Sequence, residues 1–480
     1  MCTLNKYSNK IIYFIDELLN DNQDSTIHNI NNFVTTCGEY NIFSQLTKII
    51  EDTSKIVPDI LIPIKNKYHI SKVHDIKEYP MMYILFVKLY EKDIIDKLFT
   101  LKYNFSEFIY NFKKFILWFN THSNELNIKL IHTLVNKYLI NINNSDKDDL
   151  GQIYSAIYNI EGHRKDLHQM LYNNKFIPID VQHCAESFDM DKYVINCDDF
   201  NLMIYSDYQN ELTQDDYINT IIKYIIHIIY IMKSIGKNIN NVTKPNILIL
   251  LGTQKKQINN YDKILSPTNI NSGSSMGGIN VMIWRKEEIC KVLIHELIHF
   301  YEIDFNIFDN GYTEINEFLL KKYNIEFINC PNEAWTECFA VLIHCYFISF
   351  YTKKTPNEIL TYEMIFTLFQ ISKILSFYGI TSYNEIGIKK LAQTTSVFSY
   401  FIVKGALLFN LNYLNEMIDD DIKNILIKNK VDMFSSIVKQ SLNESYFKRV
   451  DEMLNIFKNI KHIRNTDFIM KTMRMTCFQI

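Results

Sequence analysis

What this sequence lacks is breaks in regular structure. Glycine (12) and proline (8) make up 20 of 480 residues, about a third of their usual combined share of roughly 12%. A chain so poor in turn formers is not a collagen-like repeat, a Gly/Ser linker array, a disulfide mini-scaffold or a propeller with a glycine-rich turn in every strand pair. Neither GxGxxG nor GxxxxGK[ST] occurs, which argues against folds built on a glycine-rich phosphate loop. Long helices are the expectation, with ample length for a buried core.

The hydrophobic share of 47% fits a globular protein. Basic and acidic residues (50 and 54) are interspersed, with no clustered basic face, so no nucleic-acid partner is expected. Nine cysteines form no CxxC pair and no disulfide framework. The opening MCTLNKYSNK lacks the apolar stretch of a signal peptide, so a cytoplasmic, intracellular and reducing setting is expected. The isoleucine-rich segment Tyr217 to Met232 could mimic a membrane span. It is too short and carries Lys223 and His227, so a buried helix and no membrane span are expected.

Along the chain, residues 1–170 read as helical, with threefold and fourfold apolar spacing over 11–19, 81–98, 105–119 and 126–139. Between 176 and 205, FIPIDV and KYVINCDDFNLMIYS read as strands. A buried helix follows near 215–235, and NILILLG (246–252) reads as an interior strand. NSGSSMGG (271–278) holds the densest Gly/Ser cluster and reads as a loop. Then come a strand over 279–285, a helix over 286–304, a helix after Pro331, and helical pattern from Pro356 onward. The divisions are 1–170, 171–352 and 353–480, and the fold class is α+β, predominantly α-helical.

Chemistry concentrates in the middle region. His295-Glu296-Leu297-Ile298-His299 is an HExxH motif, for which about 0.02 chance matches are expected at this composition. Residues four apart on an α-helix lie about 40° apart around the axis, so both imidazoles reach one metal ion and the glutamate faces its water. The flanking residues are apolar, and burying two histidines and a glutamate without a partner is costly. A metal ion would supply that partner. Histidines merely hydrogen-bonded in a core are the alternative.

A third ligand is needed. Pro331 and Asn332 look like a helix start, which puts Glu333 in the first turn and Glu337 one turn later on the same face. Buried beside Trp335 and Phe339, the two carboxylates repel unless cations lie close. Glu333 as metal ligand and Glu337 as acceptor for a ligand histidine's second N–H would satisfy both. Glu337 and Glu302 are the fallback ligands.

HExxH followed by Asn332-Glu333-Ala334-Trp335-Thr336-Glu337 resembles the gluzincin metallopeptidases, notably the thermolysin-like and anthrax lethal factor-like enzymes. The resemblance spans about residues 245–350. It implies a zincin-like catalytic core, a small mixed sheet plus an active-site helix, flanked by helical regions. It implies Zn²⁺ held by His295, His299 and Glu333, Glu296 as general base, and Glu337 behind a ligand histidine. It also implies a peptide or protein substrate lying along an edge strand near 278–284. The separation of 34 residues between His299 and Glu333 exceeds that of thermolysin-like enzymes and is nearer that of the clostridial neurotoxin light chains, which share the literal HELIH.

Gluzincins use a tyrosine or histidine to hold the oxyanion. Tyr400, in SYFIVKGALLF, resembles the tyrosine before Lys-Gly-Ala of aminopeptidases, with Tyr312 and Tyr323 as rivals. The aminopeptidase motif GxMEN is missing, because Met276 to Asn280 contains no glutamate, and this favours an endopeptidase. His344 reads as a core histidine, with a position beside the site as the alternative, and Cys290, Cys330 and Cys338 read as packing. A zinc-dependent metallopeptidase is thus expected, the alternative being a catalytically inactive zincin-fold binding or scaffold protein.

Overall fold

Long helices dominate, and a small mixed sheet is threaded between them. The computed structural model describes residues 4–21, 30, 41–57, 67–70, 177–178, 181–182, 190–207, 214–236, 244–252, 254–259, 262–276, 280–304, 310–327, 329–417, 422, 430–460 and 467–479. The helices expected at 81–98, 105–119 and 126–139 lie outside these residues.

Six strands form the main sheet: β1 (Lys67–Ile70), β2 (Met190–Asn196), β3 (Asn201–Asp207), β4 (Asn246–Leu251), β5 (Gly273–Met276) and β6 (Asn280–Ile283). Their order is β1-β2-β3-β4-β6-β5. The centre is parallel, β3 against β4 and β4 against β6, while β1, β2 and β5 join antiparallel. β4 reads Asn-Ile-Leu-Ile-Leu-Leu because both of its faces are covered, as in any interior parallel strand. Ile247, Ile249 and Leu251 face the main core, and Leu248 and Leu250 face a smaller cluster with Tyr205, Trp284, Ile177 and Val181.

Three expectations change here. The first 170 residues are not helical throughout, since Lys67–Ile70 pairs with β2 as a strand. Of FIPIDV, Ile177 and Pro178 form a bend and Val181 lies in a helical turn, because Pro178 leaves no donor for a ladder. The strand carrying INVMI is not an edge: β6 is paired on both sides, and the edge is β5, from the segment read as a loop. Ser274 and Ser275 alternate along β5 without any apolar pattern, so periodicity gave no signal there.

Of the described helices, the one carrying the HExxH motif packs against the sheet, with the others around it. α1 (Lys6–Asp21) and α2 (Asn41–Ser54) come from the N-terminal part. α3 (Gln214–Ile235) is the isoleucine-rich helix, and α4 (Ile289–Phe300), α5 (Asn310–Lys322) and α6 (Asn332–Tyr351) surround the HExxH motif. α7 (Pro356–Phe377) opens with a capping box, Thr355 with Glu358, and a proline in its first turn. α8 (Phe398–Leu408) begins as a π-helix, α9 (Val431–Ser441) and α10 (Glu444–Asn459) follow, and a short helix Asp467–Lys471 comes last.

α4 is the hub, contacting α3, α6, β5 and β6. α3, α6 and α7 contain stretches long and apolar enough to cross a membrane by length and composition, and these are 72%, 78% and 89% buried in this fold. Residues 356–480 are not helical throughout either. A short strand β8 (Leu391–Gln393) pairs with β7 (Ile325–Phe327), and residues 472–479 run irregularly through the core. Glu288 and Glu363 accept the backbone N–H groups of Met475, Thr476, Cys477 and Phe478, which removes the cost of burying that non-helical backbone.

Candidate metal centre

The HExxH motif lies on α4, a helix with eleven of its twelve residues buried. Positions 295 and 299 share the face turned to α6, and Glu333 and Glu337 share the facing stripe of α6, one turn apart. Fourfold spacing on both helices lets the side chains interleave.

His295 Nε2 lies 3.2 Å from His299 Nε2 and 3.2 Å from Glu333 Oε2, and His299 Nε2 lies 3.3 Å from the same oxygen. Ligand atoms about 2.0–2.1 Å from a tetrahedral zinc ion stand about 3.3–3.4 Å from one another. The triangle therefore has the dimensions of three corners of such a site. Among the described residues this is the group of His, Cys, Asp and Glu that could hold a metal ion.

The donor chemistry agrees. His295 Nδ1 lies 2.9 Å from Glu337 Oε2, and His299 Nδ1 lies 2.6 Å from Asp304 Oδ2. Carboxylates only accept, so each Nδ1 carries the proton and donates it, which leaves lone pairs on both Nε2 atoms. These lone pairs converge on Glu333 Oε2, a buried oxygen that receives no hydrogen bond. Three acceptors facing one another require a positive charge between them, and the residues present fit a divalent ion.

The electrostatics show the same demand. Burial opposes ionisation of Glu333 and Glu337, yet the facing imidazoles, and for Glu337 first Lys291, hold both carboxyls well below the usual range. Burial opposes the imidazolium forms of His295 and His299, but their carboxylate partners outweigh it and raise both. Either protons or a cation must occupy the triangle.

Glu296 lines a cavity of about 30 Å³, room for one or two waters. The cavity is also lined by Gly273, Ser272, Val292, His295 and Tyr400. Burial raises the Glu296 carboxyl, and the neighbouring imidazoles offset this only in part. Gly273, on the edge strand β5, packs directly on it.

Tyr400, on the first turn of α8, lines that cavity, its ring centroid 6.1 Å from that of His295. Burial and then the charges of Glu333 and Glu296 push its phenol up, so it stays a neutral donor. Its rivals are not among the cavity's lining residues. Tyr312 donates to Asn332 Oδ1 at 3.1 Å, and Tyr323 packs between Phe398 and Phe447.

His344 is buried near Thr476, with Nδ1 3.5 Å from its hydroxyl, and burial lowers its pKa to about 3, as suits a core histidine. Cys290 and Cys338 are buried on their helices. Glu302, exposed and at φ 50° where α4 ends, is not part of the group formed by His295, His299 and Glu333.

Two residues at this centre were not anticipated. Asp304 reaches His299 because the chain reverses after α4: Ile303 N donates to Ile298 O at 3.0 Å and Tyr301 N to Leu297 O at 2.9 Å, around the left-handed Glu302. Asn332 Nδ2 approaches Asp304 at 3.4 Å. Lys291, one turn before His295, grips Glu337 at 2.6 and 2.8 Å. A fourfold-spaced lysine inside an otherwise apolar run was its visible signal.

No family model matches this chain, and no solved structure matches it. An uncharacterised protein of Acanthamoeba polyphaga mimivirus is 24% identical over 216 residues, covering 40% of this chain and 53% of that protein. The chain thus spans about half the length of the curated relative it matches.

Proposed function

We propose that the protein is a zinc-dependent metallopeptidase of gluzincin type, with a zincin-like core formed by the sheet, α4 and α6. The observation that carries this reading is the 3.2–3.3 Å triangle of His295, His299 and Glu333 with the Glu296 carboxylate beside it. His295, His299 and Glu333 would hold the ion, with Glu337 and Asp304 fixing the two imidazoles. Bound there, zinc supplies Lewis acidity that makes water nucleophilic near neutral pH.

The chain's own groups account for the proton traffic. Glu296, desolvated and raised, accepts the proton of the attacking water and passes it to the leaving amine. Tyr400 donates a hydrogen bond to the substrate carbonyl oxygen as negative charge builds on it. The substrate is a peptide or protein segment lying along β5, the sheet edge beside α4, and pairing with it as an added strand. Internal cleavage is favoured, since Met276 to Asn280 offers no glutamate for a free amino terminus. A reducing, intracellular setting is supported by Cys290, Cys338, Cys345 and Cys477, which are buried and, among the described residues, form no disulfide.

Metal analysis and peptide-library turnover test the proposal together. One zinc per chain is expected, lost in His295→Ala. Glu296→Gln should keep zinc and lose cleavage. Protein without stoichiometric zinc, or zinc retained in His295→Ala, would end the metal reading. Zinc binding without turnover of any peptide would instead favour a non-catalytic binding protein.

A further inference from the structure

Lys291 is a buried cation on the stripe that carries His295 and His299, one turn nearer the helix start. It meets the Glu333–Glu337 stripe of α6 at its far end. The contacts form a zigzag between the two helices: Lys291 to Glu337 at 2.6 and 2.8 Å, Glu337 to His295 Nδ1 at 2.9 Å, and His295 Nε2 to Glu333 at 3.2 Å. We propose that Lys291 is a positioning residue of the metal centre, acting through Glu337 to fix the His295 imidazole. This rests on reading the triangle as a zinc site.

The neighbouring buried pair shows the contrast. Lys256 and Glu288 meet at 2.7 Å, but Glu288 spends its other oxygen on the backbone of Met475 and Thr476 and thereby anchors chain. Glu337 has no such backbone role. Its oxygens go to Lys291 and His295. With both of them gripped by one ammonium, the carboxylate is held against rotation away from Nδ1. His295 then keeps its proton on Nδ1 and its lone pair on the metal side. Without Lys291, Glu337 would lose the cation that contacts both of its oxygens.

The test is zinc affinity of the purified full chain, by competition with a chromogenic chelator. Thermal unfolding of the metal-free protein identifies which variants are folded. Glu337→Gln and Lys291→Met should each weaken zinc binding about 10- to 100-fold. Lys291→Arg, which can grip a carboxylate with two donors, should restore most of it. The double variant Lys291→Met/Glu337→Gln should bind zinc no worse than Glu337→Gln alone, because the lysine acts through that glutamate. Cobalt(II) substitution should show the same displaced visible bands in Glu337→Gln and in the double variant.

Zinc affinity unchanged or tighter in folded Lys291→Met overturns the inference, as does a double variant whose losses multiply. Should Lys291→Met not fold, the charge-balanced double variant decides by its comparison with Glu337→Gln. Wild-type protein that binds no zinc overturns the metal reading itself, a different result.

Discussion

Gly273 lies against the Glu296 carboxylate: a Cβ built at position 273 would stand 2.6 Å from Glu296 Oε1 and 2.8 Å from Val292 Cγ1. The edge strand can approach α4 this closely only because residue 273 has no side chain. Val292 is fixed in the core, so an added methyl would displace either β5 or the carboxylate. Gly273→Ala is therefore expected to lower kcat/KM about a hundredfold, since displacement of about 1 Å has that effect on a positioned group. Zinc content should stay at the wild-type level. Unchanged turnover would show that Glu296 is not the group that needs this space.

Asp304 makes a second test of how the imidazoles are held. Its Oδ2 accepts a hydrogen bond from His299 Nδ1 at 2.6 Å and belongs to a reversal of chain that α4's end dictates. Asp304→Ala should weaken zinc binding about 10- to 100-fold with little change in the stability of the metal-free protein. Equal zinc affinity in the variant and the wild type would remove Asp304 from the centre.

How much of this was legible follows from which signals are local. Fourfold spacing on one helix is local, so His295, Glu296 and His299, and the Glu333–Glu337 pair, could be read from sequence. Their meeting depends on α4 and α6 packing face to face, which a separation of 34 residues does not specify. Asp304 was hidden because it acts from outside the helix, after a left-handed residue that is a glutamate and not the glycine such a position usually carries. β5 was hidden because Gly-Ser-Ser-Met has no apolar alternation; its pairing with β6 and its packing on α4 make it a strand. The irregular stretch 472–479 is apolar enough to read as helix, and only the distant Glu288 and Glu363, which accept its amides, explain why it is not one.

Tyr400 lines the same cavity as Glu296. Removing one donor to a developing oxyanion costs about 10²–10³ in kcat. Tyr400→Phe should show that loss with KM and zinc content nearly unchanged. Tyr312→Phe should lose far less, because that hydroxyl serves Asn332 and not the cavity. A larger loss in Tyr312→Phe than in Tyr400→Phe would reverse the assignment.

Away from the centre, His227 ties the N-terminal helix α2 to the core and should make stability depend on acid. Its Nε2 donates to Ile50 O at 3.0 Å, with Thr53 Oγ1 at 3.1 Å, and its Nδ1 accepts from the Tyr351 hydroxyl at 2.7 Å. This arrangement suits a neutral ring. Burial lowers its pKa to about 4, offset in part by the Ile50 carbonyl, whereas the unfolded chain titrates near 6.5. The folded pKa is the lower one, so below about pH 6.5 the unfolded state takes up the proton first and stability falls until the pH reaches about 4. A shift of this size corresponds to about 3 kcal/mol. His227→Gln should be less stable at pH 7, through lost packing and hydrogen bonds, yet should lose about that much less between pH 7 and pH 4. Urea unfolding of the metal-free proteins across that range measures the difference. Parallel curves for the two proteins would mean that His227 is not the group through which acid loosens α2.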